Sequence, residues 1–137
     1  MNILILGYGQ TGHALAQQLQ QQGHYVLAVS RTAQTETRID HLAQDIKNLH
    51  LDADVKFDWV YVILAPKHRS LEAYQASFVD TAKPVWQALQ DHPIQKVVFI
   101  SSTRVYGQDE GQIIDDKTQP HTTDPFGQCL IAAEQLW

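Results

Sequence analysis

The chain has 137 residues, 44% of them hydrophobic, and a formal net charge of −5. That length suits one domain burying roughly two-thirds of the surface its unfolded chain exposes. The acidic balance argues against a nucleic-acid or anionic-membrane partner, since both call for basic clusters, and the single cysteine, Cys129, excludes an intramolecular disulfide and a multi-cysteine metal site.

The opening "MNILILGYGQ" carries an apolar run with no basic region before it, too short to cross a bilayer. It reads as a buried strand over residues 2–6, and no signal peptide or membrane span is expected elsewhere. The glycines that follow, "GYGQTG", put Gly7, Gly9 and Gly12 in the spacing GxGxxG between a strand and a helix expected from Thr11 to Gln22. In that context the first glycine permits a tight turn, the second lets backbone approach a pyrophosphate, and the third brings helix against sheet. Amides near Gln10 and Thr11, at the helix N-terminus, then face the phosphates of a dinucleotide.

"YVLAVS" (25–30) is the second strand, ending in Ser30, Arg31 and Thr32. An NAD site normally offers a carboxylate here for the ribose 2′-hydroxyl. A guanidinium beside two hydroxyls suits a 2′-phosphate instead, which favours NADP over NAD; the bland alternative leaves Arg31 a solvated surface charge. Residues 38–46 read as a short, weakly amphipathic helix and residues 48–51 as a short third strand. Asp52 beyond it is either a partner for adenine or a turn residue.

"WVYVILA" (59–65) is a strong strand closed by Pro66, and its Ala65 is counted among the cofactor-binding positions. Leu71, Tyr74, Phe78, Ala82, Val85 and Leu89 then recur at spacings of three and four, one apolar helical face. Pro84 inside it predicts a kink or a fresh start. "KVVFISS" (96–102) is a further buried strand. A polar loop leads to the closing "DPFGQCLIAAEQLW", where Asp124 caps a helix and Pro125 takes its first position. Cys129 has no His or Lys beside it and reads as an inert packed thiol. The seven histidines show no tight metal spacing, and no metal site is expected. Strands alternating with helix-length segments predict one α/β domain over residues 1–137. Its expected core is a doubly wound, Rossmann-like parallel sheet of five strands in the order 3-2-1-4-5.

The second half, "YQASFVDTAKPVWQALQDHPIQKVVFISSTRVYG", resembles the extended and atypical short-chain dehydrogenase/reductases, the epimerase/dehydratase branch that includes nucleotide-sugar epimerases. The motif is Ser101, Ser102, then Val105, Tyr106 and Gly107. "DEGQIIDDKTQP" resembles the family's acidic loop and "PFGQCLIAAEQL" its catalytic-helix segment. The resemblance implies hydride transfer at a hydroxyl or carbonyl carbon, with a nicotinamide dinucleotide and a small carbonyl, hydroxyl or nucleotide-sugar-like substrate. Carried over by position, it implies an orienting role for Ser102 and a structural one for Tyr106, a less favoured catalytic phenol. It puts Phe126 where the family has its tyrosine and Leu130 where it has its lysine, so the family's proton relay is absent. Phe126, Leu130, Ala133 and Trp137 form an apolar stripe instead.

The resemblance also implies a homodimer through helices around 71–89 and 125–137, and a further strand and a smaller substrate-shaping part beyond residue 137; the single cysteine suits a cytoplasmic location. The leading expectation is an NADP-binding, epimerase/dehydratase-like oxidoreductase domain. The alternatives are a non-catalytic dinucleotide-binding or sensing module, or a truncated remnant that acts through protein interaction.

Overall fold

The computed structural model describes residues 1–35 and 38–137. Its five strands are β1 (Asn2–Leu6), β2 (Tyr25–Ser30), β3 (Asp40–Ala43), β4 (Trp59–Val62) and β5 (Lys96–Phe99). They form one parallel sheet in the order β3-β2-β1-β4-β5. The helices are α1 (Gln10–Gln21), α2 (Leu71–Tyr74), α3 (Ala82–Leu89) and α4 (Pro125–Leu136). The doubly wound α/β architecture and its strand order are as expected from the sequence.

β1 is apolar at four successive positions because both its faces are covered. Ile3 and Ile5 pack with Ala16 and Leu19 of α1. Leu4 and Leu6 point the other way, into a cluster with Val60, Val62, Val85 and Leu89. All four β1 side chains are fully excluded from water, a burial that stabilises by about 1.5–3 kcal/mol per side chain. The register is pinned at its start. The Asn2 amide donates to Asp58 Oδ2 at 2.8 Å, the Asp58 amide donates to the Asn2 carbonyl at 2.8 Å, and Asn2 Nδ2 donates to the Lys56 carbonyl at 2.7 Å. A slip by one residue would exchange the two apolar faces of β1 and break all three bonds.

Two local expectations are corrected. The helix expected over 38–46 is replaced by β3, paired with β2 from Leu27↔Asp40 to Ser30↔Ala43, and residues 48–51 are not a strand. Ile39 joins the cluster under α1 while Leu42 packs on the opposite face, which is the alternation of a strand. A single turn of 3-10 helix, Ile46–Asn48, follows, with Asp45 Oδ1 accepting from the Lys47 amide at 3.0 Å.

The apolar pattern over 71–89 makes a fresh start just ahead of Pro84, one of the two outcomes expected there. After α2 the backbone widens into a π turn over Gln75–Val79, where the Asp80 amide donates to the Gln75 carbonyl at 3.0 Å. α3 then starts at Ala82, so Pro84 lies in its first turn, where a missing amide costs nothing. Leu71 heads α2 and is exposed, outside the apolar face formed by Phe78, Ala82, Val85 and Leu89.

Candidate functional site

The glycine turn that follows β1 shows three different constraints. Gly7 has φ of 105°, a left-handed backbone, and a Cβ built there would lie 1.9 Å from the Ile63 carbonyl oxygen. Its amide donates to the Val29 carbonyl at 2.9 Å, tying the turn to β2. A Cβ on Gly12 would lie 2.1 Å from the Gly7 carbonyl oxygen, so helix and turn touch there. A Cβ on Gly9 would meet nothing within 4 Å. Gly9 is also the N-cap of α1 and contributes no side-chain cap. The first amides of α1, at Gln10 and Thr11, thus lie at the positive end of an uncapped helix.

This turn opens onto a cavity of about 720 Å³. Gly7 and Gly9 line one part of it, Ser30, Arg31 and Thr32 from the end of β2 another, and Ala65 beyond β4 a third. Ser70, Ala73 and Ser77 form the far wall. The carboxyl ends of adjacent parallel strands meet here, at the reversal of strand order between β1 and β4, where open α/β sheets bind ligands. Arg31 and Thr32 are exposed at its edge. Ser30 Oγ lies 2.8 Å from His41 Nε2 and 3.1 Å from the Thr32 carbonyl. Burial lowers the pKa of His41 below its ordinary 6.5.

The remaining candidate positions lie elsewhere. Asp52 does not line the cavity; its Oδ1 accepts from the Asp54 amide at 2.9 Å, as a turn residue. Asp45 and Ile46 do line it, from a segment whose spacing suggests a helix rather than the end of a strand. An Asp-Ile pair just past a strand end was the available signal. Ser102 Oγ accepts from the Arg104 amide at 3.2 Å and starts a 3-10 turn over Thr103–Val105. Tyr106 forms a parallel bridge with His121 and packs beside Val105 and Leu130. Neither Ser102 nor Tyr106 lines the cavity.

Phe126 sits under the Arg104 guanidinium, 4.4 Å from its ring centre, and meets the Tyr74 ring edge-on at 4.8 Å. Arg104 also pairs with Asp124, the cap of α4. Leu130 is 2% exposed, packed with Phe78, Val105 and Ala133. Cys129 is buried as well, and burial raises the pKa of its thiol. Among the described residues, no three His, Cys, Asp or Glu side chains converge as metal ligands, and no helix is long and apolar enough to cross a membrane.

Several solved structures are similar. MoeE5, in complex with UDP-glucuronic acid and NAD, is 26% identical with a TM-score of 0.83 over 99% of this chain and 48% of that one. A protein from Methylobacillus flagellatus described as an NAD-dependent epimerase/dehydratase is 30% identical, with a TM-score of 0.77 over 98% of this chain and 49% of that one. UDP-glucuronic acid 4-epimerase from Bacillus cereus, in complex with NAD, is 20% identical with a TM-score of 0.80 over 99% of this chain and 50% of that one, a likeness of fold. The chain spans about half the length of the structures it matches. A search of the curated proteins finds no match. The glycine turn and the strand order agree with what the whole chain matches: the model of the NAD dependent epimerase/dehydratase family covers residues 3–137, and this chain belongs to that family.

Proposed function

We propose that residues 1–137 are one NAD(P)-binding domain of an epimerase/dehydratase-like oxidoreductase, binding NADP in preference to NAD. The observation that carries the proposal is the contrast within the glycine turn. Gly7 and Gly12 are closed against backbone, while a Cβ on Gly9 would meet nothing within 4 Å, and Gly9 is one of the residues that line the cavity. A glycine whose missing side chain leaves open space fits the close approach of a pyrophosphate.

The amides of Gln10 and Thr11 would meet that pyrophosphate, and Gly7, Gly9 and Ala65 would shape the channel. Arg31 would hold a 2′-phosphate by paired N–H bonds, a geometry that guanidinium supplies and that a carboxylate would oppose, with Ser30 and Thr32 shaping the turn that presents it. When bound, the dinucleotide supplies the hydride acceptor or donor for reaction at a hydroxyl or carbonyl carbon. A small carbonyl, hydroxyl or nucleotide-sugar substrate is supported by MoeE5, whose complex holds UDP-glucuronic acid. Ser102 would be the surviving substrate-orienting residue.

Calorimetric titration with NADPH, NADH and adenosine tests the cofactor reading. The expected result is NADPH binding tighter than NADH by about tenfold or more, the worth of one charge-assisted pair, and largely lost in Arg31→Asp. Equal affinities would remove the NADP preference, and a folded protein that binds none of the three would end the proposal.

A second reading rests on Phe126 and Leu130. In the family's proton relay these positions would carry a phenol and an ammonium; here one is a ring clamped between Arg104 and Tyr74 and the other a core aliphatic. That supports a non-catalytic binding or sensing module, or a remnant acting through protein contacts. Reductase turnover with a panel of carbonyl substrates would decide against it. A homodimer through helices around 71–89 and 125–137 belongs to both readings, supported by the exposed Trp86 and Leu136. A monomeric mass by sedimentation at micromolar concentration would dismiss it. A cytoplasmic location is part of the same proposal, supported by a lone thiol with no disulfide partner.

A further inference from the structure

We propose that His41 is the positioning residue behind the preference for a 2′-phosphorylated dinucleotide, acting on Arg31 through Ser30. This rests on the NADP reading above. β3 runs beside β2 with His41 opposite Ala28, and the imidazole reaches forward to Ser30, the last residue of β2. There Nε2 stands 2.8 Å from Ser30 Oγ, which in turn stands 3.1 Å from the Thr32 carbonyl oxygen.

The direction of these two bonds follows from proton counting. The Thr32 carbonyl can only accept, so the single hydroxyl proton of Ser30 goes to it. Ser30 Oγ must then accept from His41, whose Nε2 carries the proton. Burial keeps the pKa of the ring below its ordinary value, so at neutral pH the bond is made by a neutral Nε2–H imidazole. The Ser30–Thr32 bond closes a turn with Arg31 at its apex, exposed and bordering the cavity. His41 thus holds the hydroxyl that holds the turn that presents the guanidinium.

The imidazole also meets a second ring. Tyr8, between Gly7 and Gly9, lies 5.4 Å from the His41 ring at 50°, and meets His13 of α1 at 5.3 Å, edge-on. The glycine turn and the Arg31 turn therefore share one side chain as a spacer. A ligand with phosphate at both places needs the two anchors at a set separation, and holding them there before binding raises its affinity. A ligand with only the pyrophosphate gains little from that spacing. His41 accordingly affects NADPH far more than NADH.

The test is titration of NADPH and NADH into the wild-type chain, His41→Phe, His41→Gln, Ser30→Ala and the His41→Phe/Ser30→Ala double variant. Phe keeps the ring against Tyr8 and removes the donor, while Gln offers an amide N–H at similar reach. The expected loss in His41→Phe is about tenfold for NADPH, the worth of a partly buried hydrogen bond, and less than about twofold for NADH. Gln should recover most of the loss. In the Ser30→Ala background His41→Phe should add almost nothing, because the two act in series. Equal losses for both cofactors, additive losses in the double variant, or wild-type NADPH affinity in His41→Phe would each overturn the proposal. Should His41→Phe not fold, Ser30→Ala must show the same selective loss, and its absence would overturn the proposal equally. A wild-type chain without NADPH preference would remove the NADP reading and this proposal together. A preference untouched by His41 would remove this proposal alone.

Discussion

Gly9 and Gly12 differ by three positions and by what a side chain would meet at each. Gly9 has φ of −77° and ψ of −166°, a backbone open to any residue, with free space around it. Gly9→Val should therefore leave stability within about 1 kcal/mol of wild type while blocking the approach of a pyrophosphate. Gly12→Val would drive a side chain into the Gly7 carbonyl and should cost more than about 3 kcal/mol, beyond ordinary overpacking because the obstacle is backbone. Thermal melts with parallel dinucleotide titrations check both; equal effects on folding at the two positions would contradict this division. Leu130 is the other informative residue. Replacing it with the lysine of the family pattern puts an ammonium among Phe78, Val105 and Ala133, and Leu130→Lys should destabilise by at least about 3 kcal/mol. A urea midpoint unchanged from wild type would show that the pocket has room for the charge.

α4 depends on a cap that does two things. Asp124 Oδ1 and Oδ2 accept from the amides of Phe126 and Gly127 at 3.3 and 3.2 Å, and the same carboxylate pairs with Arg104. The Arg104 bond first, then the two amides, hold its pKa below the ordinary 3.8. A lowered carboxylate pKa means stability present above 3.8 and lost as pH falls through the folded-state value. Asp124→Ala should thus melt below wild type at neutral pH, with the gap closing under acid conditions, and Asp124→Asn should fall between because it keeps a cap oxygen. A gap that stays constant from neutral to acid pH would show that the ion pair does not contribute. The cap was legible in "DP" ahead of an apolar run, because capping is local chemistry. β3 was not legible, for a geometric reason. Ile39 and Leu42 are three apart, which fits one face of a helix but equally fits opposite faces of a strand. Only the cover on both sides of this sheet makes the second arrangement stable.

Across the whole molecule, the apolar clusters that Trp137 packs against are closed by aromatic contacts between distant segments. Trp137 Nε1 donates to the Phe78 carbonyl at 2.9 Å, and its ring stacks on Phe99 at 6.0 Å. Trp86 Nε1 donates to the Leu136 carbonyl at 2.8 Å, joining α3 to the end of α4. Trp137→Ala should cost about 2–3 kcal/mol, somewhat below a fully buried tryptophan, and Trp137→Phe less, since stacking survives without the hydrogen bond. Denaturant unfolding of the two variants measures this, and equal losses would mean that the indole N–H contributes most of the effect.

The sequence by itself determined the alternating α/β architecture, the glycine turn, the apolar identity of β1 and the cap of α4. Each of these is set by residue type and short spacing: alternation of strands and helices, glycine where a side chain cannot fit, an aspartate ahead of a proline. What only the tertiary structure decided is which side chains meet across those elements. His41 became the partner of Ser30 because β3 pairs with β2, Asp45 rather than Asp52 came to the cavity because the chain turns there, and Leu130 was placed in a core shared by α4, the π turn and Val105. Contacts of that kind join residues far apart in the chain, and they follow from the packing of both sheet faces, which no local pattern contains.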